Sequence, residues 1–306
     1  MYLLCCAVWG STWLFIKIGL RDLPPLHFAT LRMGLACLAM APFAFRRRGR
    51  LPTASEVPWI ALSGLLQIGV AYALIFLAAQ RIASGLAALL FCSFPIWMGL
   101  FGHWLLPDEP LTTRAVAASV LGLLGVGVIQ GPDAAAALHG APGPLLAGGL
   151  LVLGSSVVSA IANVLNKRYF ASVSPDRNVW IQTSVGTAFL AALALSFEKG
   201  APLRWTESSV FALFYLAVCG TALAFAALFW LIPRVPVAVI GTIPLSDTVI
   251  AVLLGARVLG ERLSFRVLAG GVLILGGVLL ASISGRETAL EKDRSTAGAG
   301  DTAGAR

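Results

Sequence analysis

The chain has 306 residues, of which 58% are hydrophobic and only 12% charged, with a formal net charge of +8. A mean hydropathy of +0.88 excludes an ordinary soluble domain, whose apolar share sits near half. The basic excess falls in connections and tail, which points to anionic lipid surfaces and not to nucleic acid.

Spanning about 30 Å of hydrocarbon takes roughly 20 apolar residues. Cutting the chain at its Pro, Gly and charge clusters leaves ten such runs, near 2–20, 27–45, 57–78, 83–105, 112–130, 145–166, 178–197, 208–231, 237–257 and 265–284. The alternating strands of an outer-membrane barrel are not seen. No basic region precedes the first run, so no cleavable signal is expected. That run carries Trp9 and, near its far end, Lys17. The second holds Arg32 about seven residues in, roughly 10 Å deep at 1.5 Å per residue. Arg46, Arg47, Arg48 and Arg50 follow it, and this cluster places that connection and both termini on the cytoplasmic side. The third run carries Tyr72 and Phe76, an aromatic pair four residues apart. EPLTTR (109–114) opens the fifth, and the segment GPDAAAALHGAPGP (131–144) then reads as a connecting loop. Asn163 and Asn166 share a face of the sixth run, and Gln182 lies in the seventh. Phe225 and Phe229 repeat the aromatic spacing in the eighth. Asp247 lies within the ninth, ERLSFR (261–266) opens the tenth, and 285–306 reads as a disordered cytoplasmic tail.

EPLTTR and ERLSFR are 152 residues apart, and an ungapped comparison of 109–127 with 261–279 gives nine identities in 19 positions. Glu109 faces Glu261, Arg114 faces Arg266, and Gly125-Val126 faces Gly277-Val278. Tyr72 and Phe76 lie 153 before Phe225 and Phe229, and Lys17 lies 150 before Lys167. The chain therefore reads as two five-span units, 1–130 and 145–284, joined by 131–144. Because five is odd, the second unit enters the membrane from the opposite side. The expected fold is all-α and integral to the membrane: ten transmembrane helices as two inverted-topology repeats, the arrangement of many secondary transporters. The repeated phrase itself has a local explanation. Thr112 and Ser264 are placed to cap the helices that follow, and the Glu is placed beside the positive helix end.

Of 14 carboxylates, Asp247 falls mid-span, where charge is costly and its bearer is a functional candidate by default. It is the candidate for proton coupling, set against a hydrogen bond to a neighbouring helix. Lys17 and Arg32 are long enough to snorkel, or could face a cavity and favour an anionic group. Tyr72, Phe76, Phe225 and Phe229 serve equally as packing stripes or as an aromatic lining. Asn163 is a candidate lining residue, weighed against interhelical bonding. Cys5, Cys6, Cys37, Cys92 and Cys219 form no CxxC pair, and His27, His103 and His139 are scattered, so no metal site is expected. No nucleotide-binding loop, HExxH or GxSxG is present, and no cofactor is called for.

Trp9-Gly10-Ser11 with Lys17, the run from Ser84-Gly85-Leu86-Ala87-Ala88 to Pro95, and the two Glu-x-Leu-Ser/Thr phrases resemble the bacterial EamA family of the drug/metabolite transporter superfamily. The resemblance covers about 2–284 as two tandem units. It implies ten helices, cytoplasmic termini, a central cavity between halves that Trp9 helps to line, and movement of small metabolites by alternating access. One departure is that Pro244 precedes Glu261 by 17 residues where Pro95 precedes Glu109 by 14, so the ninth span is expected either to kink about one turn earlier or to differ in register. The leading expectation is a secondary transporter of the bacterial inner membrane, an exporter of an amino acid, related metabolite or drug, acting as monomer or homodimer. Its site would use Trp9, Arg32, Tyr72, Phe76, Asn163, Phe225, Phe229 and Asp247. An intramembrane enzyme acting on lipid is the alternative.

Overall fold

The computed structural model describes residues 1–45, 49–106, 113–137, 143–170, 172–231, 234 and 242–281, apart from the side chains of Phe225, Ala226 and Phe229. The expected tail, Glu109, Thr112 and the Arg46–Arg48 cluster lie outside the described residues. Among the described residues all regular structure is helical. The helices are α1 (Tyr2–Gly19), α2 (Pro25–Ala44), α3 (Val57–Ala79), α4 (Ser84–Leu105) and α5 (Thr113–Ala137). They continue as α6 (Pro144–Tyr169), α7 (Pro175–Phe197), α8, α9 (Ile243–Val258) and α10 (Phe265–Ala281). The eighth is built from Glu207–Phe214, Tyr215–Leu223 and Ala224–Leu231 in succession. Helices α1 to α7 are each long and apolar enough to cross a membrane, and Glu207–Leu223 and Phe265–Ala281 are shorter apolar helices.

The helix starts follow local chemistry. Proline occupies the first turn of α2, α3, α6, α7 and α9, where its missing N–H costs no intrahelical bond. A reciprocal Thr206–Ser209 capping box opens α8. Ser264 accepts from the Val267 amide at 3.3 Å and so caps α10, as expected from its place in ERLSFR. Pro244 lies in the first turn of α9, so among the described residues it marks a start and produces no mid-span kink. The segment 131–144 needs correction: α5 continues past Pro132 to Ala137. The run Ala134–Ala137 has the highest helix propensity available, and Asp133 is held by Arg266 at 2.7 Å.

Two helices carry π-helical turns, Leu65–Val70 in α3 and Tyr215–Leu223 in α8. Such widened turns interrupt the ordinary ladder and occur often at functional sites. Nothing in the apolar patterning announces them.

Contacts fix the relative directions of the helices. Cys37 Sγ meets Ser184 Oγ at 3.1 Å, Arg177 Nε donates to the Ala44 carbonyl, and the Leu26 amide donates to Glu198, so α2 and α7 run antiparallel. Gly64 abuts Gln182 and Gly186 abuts Ile68, so α3 and α7 run parallel. Along α5 and α10 a Cβ on Gly125 would lie 2.5 Å from the Gly270 carbonyl oxygen, and one on Gly277 would lie 2.7 Å from that of Ala118. These contacts run in opposite senses, so α5 and α10 cross antiparallel at backbone distance. In lipid, where apolar burial gives no net drive between helices, close packing through small residues is what holds a crossing. The largest core cluster joins Ile16, Phe28, Met33, Phe76, Leu190 and Leu216 from α1, α2, α3, α7 and α8. Apolar side chains such as Leu38, Trp104, Leu195, Phe211 and Val272 face outward, as lipid requires.

Valine at Gly125 should therefore overpack the α5–α10 crossing and cost about 1–3 kcal/mol, read as a lower Tm of the detergent-solubilised protein. Valine at Gly127, whose Cβ would meet nothing within 4 Å, should leave Tm unchanged.

Candidate functional site

Polar contacts close one end of the bundle, the end that bears the α1–α2, α3–α4, α7–α8 and α9–α10 turns. Gly260, at φ +66°, ends α9 in the left-handed conformation that glycine adopts without a Cβ clash. The amides of Leu259 and Glu261 both return to the Gly255 carbonyl, and this turn aims the Glu261 side chain across the bundle. Its carboxylate accepts from the Ser84 amide at 2.7 Å, the Ser84 hydroxyl at 2.9 Å and the Gly85 amide at 3.1 Å. Glu261 thus caps α4, far away in sequence, and not α10 beside it. The expectation that this Glu serves its own helix is corrected; only Ser264 does so. Glu198 plays the same part for α2, accepting from the Leu26 and His27 amides at 2.9 Å each and from His27 Nδ1 at 2.7 Å. In both cases a carboxylate meets unpaired amides at the positive end of a helix.

Lys17 does not snorkel outward. Half-buried, its Nζ donates to the carbonyls of Ala79 (2.6 Å) and Ile82 (2.7 Å), which satisfies the C-terminal end of α3. With Arg21, Gln80, Leu259 and Glu261 it lines a pocket of about 360 Å³.

Asp247 lies where α9 meets α1 and α4. Its backbone carbonyl packs against Gly10, where a Cβ would approach to 2.7 Å. The thiols of Cys6 and Cys92 lie within its electrostatic reach. The Thr248 hydroxyl is 3.3 Å from Oδ1, and no cation among the described residues lies within salt-bridge distance. Trp9 is on the same side, packed with Tyr2 and Ile250 around Cys5, Cys6 and Ile243. Tyr2 reaches Thr242 and Ser246 through its hydroxyl.

Arg32 occupies a different place. It is 3% exposed, and its buried Nε has no hydrogen-bond partner. A charge of this kind costs about 2.5–3.5 kcal/mol to insert at a helix centre. The guanidinium carbon lies 5.2 Å from the Tyr72 ring centroid and 6.0 Å from that of Phe76, within cation–π range. Phe76 is fully buried and meets Phe28 edge-on, so beneath the cation it is also core. Across from Arg32, a Cβ on Gly220 would lie 3.5 Å from Nη2 and 3.2 Å from Thr12 Cγ2. Gly220 belongs to the π-helical turn of α8.

Of the remaining polar candidates, Asn163 and Asn166 bond between helices, and Gln182 makes its short bond within α7. Asn163 donates to Gln67 at 2.9 Å, Asn178 to Asn166 at 3.1 Å, and Gln182 to Asn178 at 2.6 Å. The side chains of Phe225 and Phe229 lie outside the described residues. The structure thus brings Arg32, Tyr72 and Phe76 together and places Trp9 near Asp247. Asn163 lies apart with Gln67. Sequence reasoning missed Gly220, Tyr215 and Ser11; the last two hydroxyls are 2.6 Å apart. No composition signal marks them, because their partners lie about two hundred residues away. All five cysteines are free, and no metal-binding group of three or more ligands occurs among the described residues.

Residues 1–130 and 146–283 each match the EamA-like transporter family. The chain belongs to that family. Similar relatives include the uncharacterized transporter YoaV of Bacillus subtilis, 26% identical over 89% of this chain and 92% of its own length. The uncharacterized inner membrane transporter YedA of Escherichia coli K12 is 29% identical over 89% and 87%. A probable terminal-alkyne amino-acid exporter of Streptantibioticus cattleyicolor is 26% identical over 96% of each chain. A solved crystal structure, 22% identical, superposes with a TM-score of 0.62 over 93% of this chain and 96% of that one, which supports the fold.

In this EamA-like chain the Glu261 cap can be removed in two independent ways. Glu261→Ala deletes the acceptor and should cost about 0.5–2 kcal/mol, in the range of lost helix caps. Gly255→Ala should act similarly, since its Cβ would fall 2.4 Å from Glu261 Oε2 and 2.8 Å from Ser84 Oγ. Thermal unfolding of both variants and of the double variant should show less than additive losses, because both remove one interaction.

Proposed function

We propose that this EamA-like transporter is a secondary transporter that moves a small organic metabolite across the bacterial inner membrane by alternating access. Its two inverted five-helix halves are 1–130 and 145–284, and both termini are cytoplasmic. The observation that carries this reading is the α5–α10 crossing. Adding 152 to Gly125 gives Gly277, and adding 152 to Ala118 gives Gly270. Exchanging the halves therefore converts the Gly125–Gly270 contact into the Ala118–Gly277 contact, and both occur. A pair that maps onto itself with antiparallel helices is what an inverted repeat produces at its axis. The π-helical turns add support, since Leu65–Val70 shifted by 153 falls within Tyr215–Leu223. Opposite halves that share one axis can rock about it and expose a site to either side.

Asp247 is the proton-coupling residue on this reading. It is a carboxyl on α9 of the second half, facing α1 and α4 of the first, so its charge state acts on the interface that must move. Trp9 lies beside it as lining, while Arg32, Tyr72 and Phe76 form a second wall; Asn163, Phe225 and Phe229 complete the proposed set. The name of the Streptantibioticus relative favours amino acids and export. No observation favours the intramembrane lipid enzyme.

Proteoliposomes loaded with labelled amino acids should show flux that a pH gradient accelerates. Asp247→Asn should abolish accumulation against a gradient and leave exchange intact. Accumulation at the wild-type level by the variant would remove Asp247 from coupling; lipid turnover without any flux would overturn the transporter reading.

A further inference from the structure

We infer that Arg32 is the substrate's carboxylate receptor, in a subsite walled by Thr12 of α1, Tyr72 and Phe76 of α3 and Gly220 of α8. This rests on the transporter reading and names the chemical class of its cargo: a small monoanionic organic acid or amino acid with an apolar body.

Several independent observations meet here. Arg32 is 3% exposed in a membrane-spanning helix, yet no carboxylate of the described chain lies within salt-bridge distance and its Nε has no partner. Buried arginines that serve structure are paired, because an uncompensated charge is costly in a low-dielectric interior. The contacts Arg32 does make are to ring faces, at 5.2 and 6.0 Å. Ring faces steady a guanidinium without occupying its N–H donors, and leave the planar fork free for a bidentate acceptor. The fourth wall is glycine. At Gly220 a Cβ would be tight against Thr12 Cγ2 at 3.2 Å and in ordinary contact with Nη2 at 3.5 Å, so the glycine sets the α8 backbone beside the fork with no side chain between.

The other half gives the contrast. Gln182 lies 150 residues after Arg32 and is also buried, at 7%. It is neutral and its amide is engaged, donating to Asn178 at 2.6 Å with the Ser63 hydroxyl at 3.5 Å from its carbonyl. One half thus satisfies this place internally, and the other holds a cation there with its fork unengaged by a carboxylate. A single cation matches a carboxylate better than a dianionic phosphate, since no second cation stands among the neighbours described here. The partly buried Tyr72 ring would take the apolar part of the ligand, with the buried Phe76 supporting the guanidinium from beneath.

The test is binding, measured apart from transport. The detergent-solubilised full chain is titrated with matched pairs: L-phenylalanine and L-phenylalaninamide, L-leucine and L-leucinamide, benzoate and benzamide, with inorganic phosphate as a further arm. Binding is read by thermal shift and tryptophan fluorescence. We expect at least one acid to bind and its amide twin not to, a comparison that needs no variant. Arg32→Gln should weaken the acid at least about thirtyfold, the lower end for truncating one partner of a buried charge pair. Arg32→Lys should recover only part of the loss, because an ammonium cannot present the planar fork. Size-exclusion profiles establish that the variants are folded. Amide twins binding as well as acids, phosphate binding in their place, no acid binding, or folded Arg32→Gln binding like wild type would each overturn the assignment. Binding by wild type without flux would uphold the subsite and overturn transport; flux of the amide twins would do the reverse.

Discussion

Inside a bilayer a helix end has no water to turn to, and much of this structure follows from that constraint. An α-helix leaves four amides and four carbonyls unpaired at its ends, and hydrocarbon cannot satisfy them. Here the shortfall at one end of the bundle is met by side chains from distant segments: Glu261 for α4, Glu198 for α2, Lys17 for the carbonyls of α3. Each solution ties two helices that are far apart in sequence. The caps therefore complete helices and also tie them to one another at that end of the bundle. Any motion that parts α9 from α4, or α7 from α2, must first strip a carboxylate from its amides.

What sequence could reveal followed from whether the cause was local. Apolar runs gave the helices within a few residues, because length and hydropathy are properties of the segment alone. Ser264 was legible as a cap for the same reason: its acceptor and the Val267 amide are three residues apart. Glu261, three residues earlier, was misassigned because its partner is Ser84 and a local rule sends it to its own helix. Lys17 failed likewise, since the carbonyls that hold it belong to the end of α3 and the turn that follows it. The 131–144 segment read as loop through its Gly and Pro, yet α5 runs on to Ala137, with Asp133 held by Arg266 across the α5–α10 crossing.

The candidate site was only partly legible, for a different reason. Rarity singles out Asp247 and Arg32, because a charge within an apolar run is visible in any window. Rarity cannot tell whether two unusual residues meet. Gly10 packs against Asp247 and Thr12 lies near Arg32 through Gly220. Positions two apart on a helix point about 200° from each other at 3.6 residues per turn. The two charges thus flank α1 from different sides, and neither neutralises the other. The π-helical turn bearing Gly220 was beyond prediction, since the sequence there is as apolar as its surroundings.

The duplication constrains the backbone more tightly than the side chains. On the inverted-repeat reading, glycines at 125 and 277 correspond, and so do the two π-helical turns, because closeness of approach and helix geometry would matter equally in both halves. The two charged candidates of the site do not repeat: Asp247 faces Phe94 or Pro95 at the matching offsets, and Arg32 faces Gln182. A ligand without two-fold symmetry, bound near a two-fold axis, cannot present the same group to both halves. On the inverted-repeat reading, the mechanical parts should stay symmetric while the recognition parts diverge. A cation lodged in one half and a carboxyl in the other is the pattern this produces. α1 lies between them, with Gly10 turned to one and Thr12 to the other, so a shift of that helix would change both environments together.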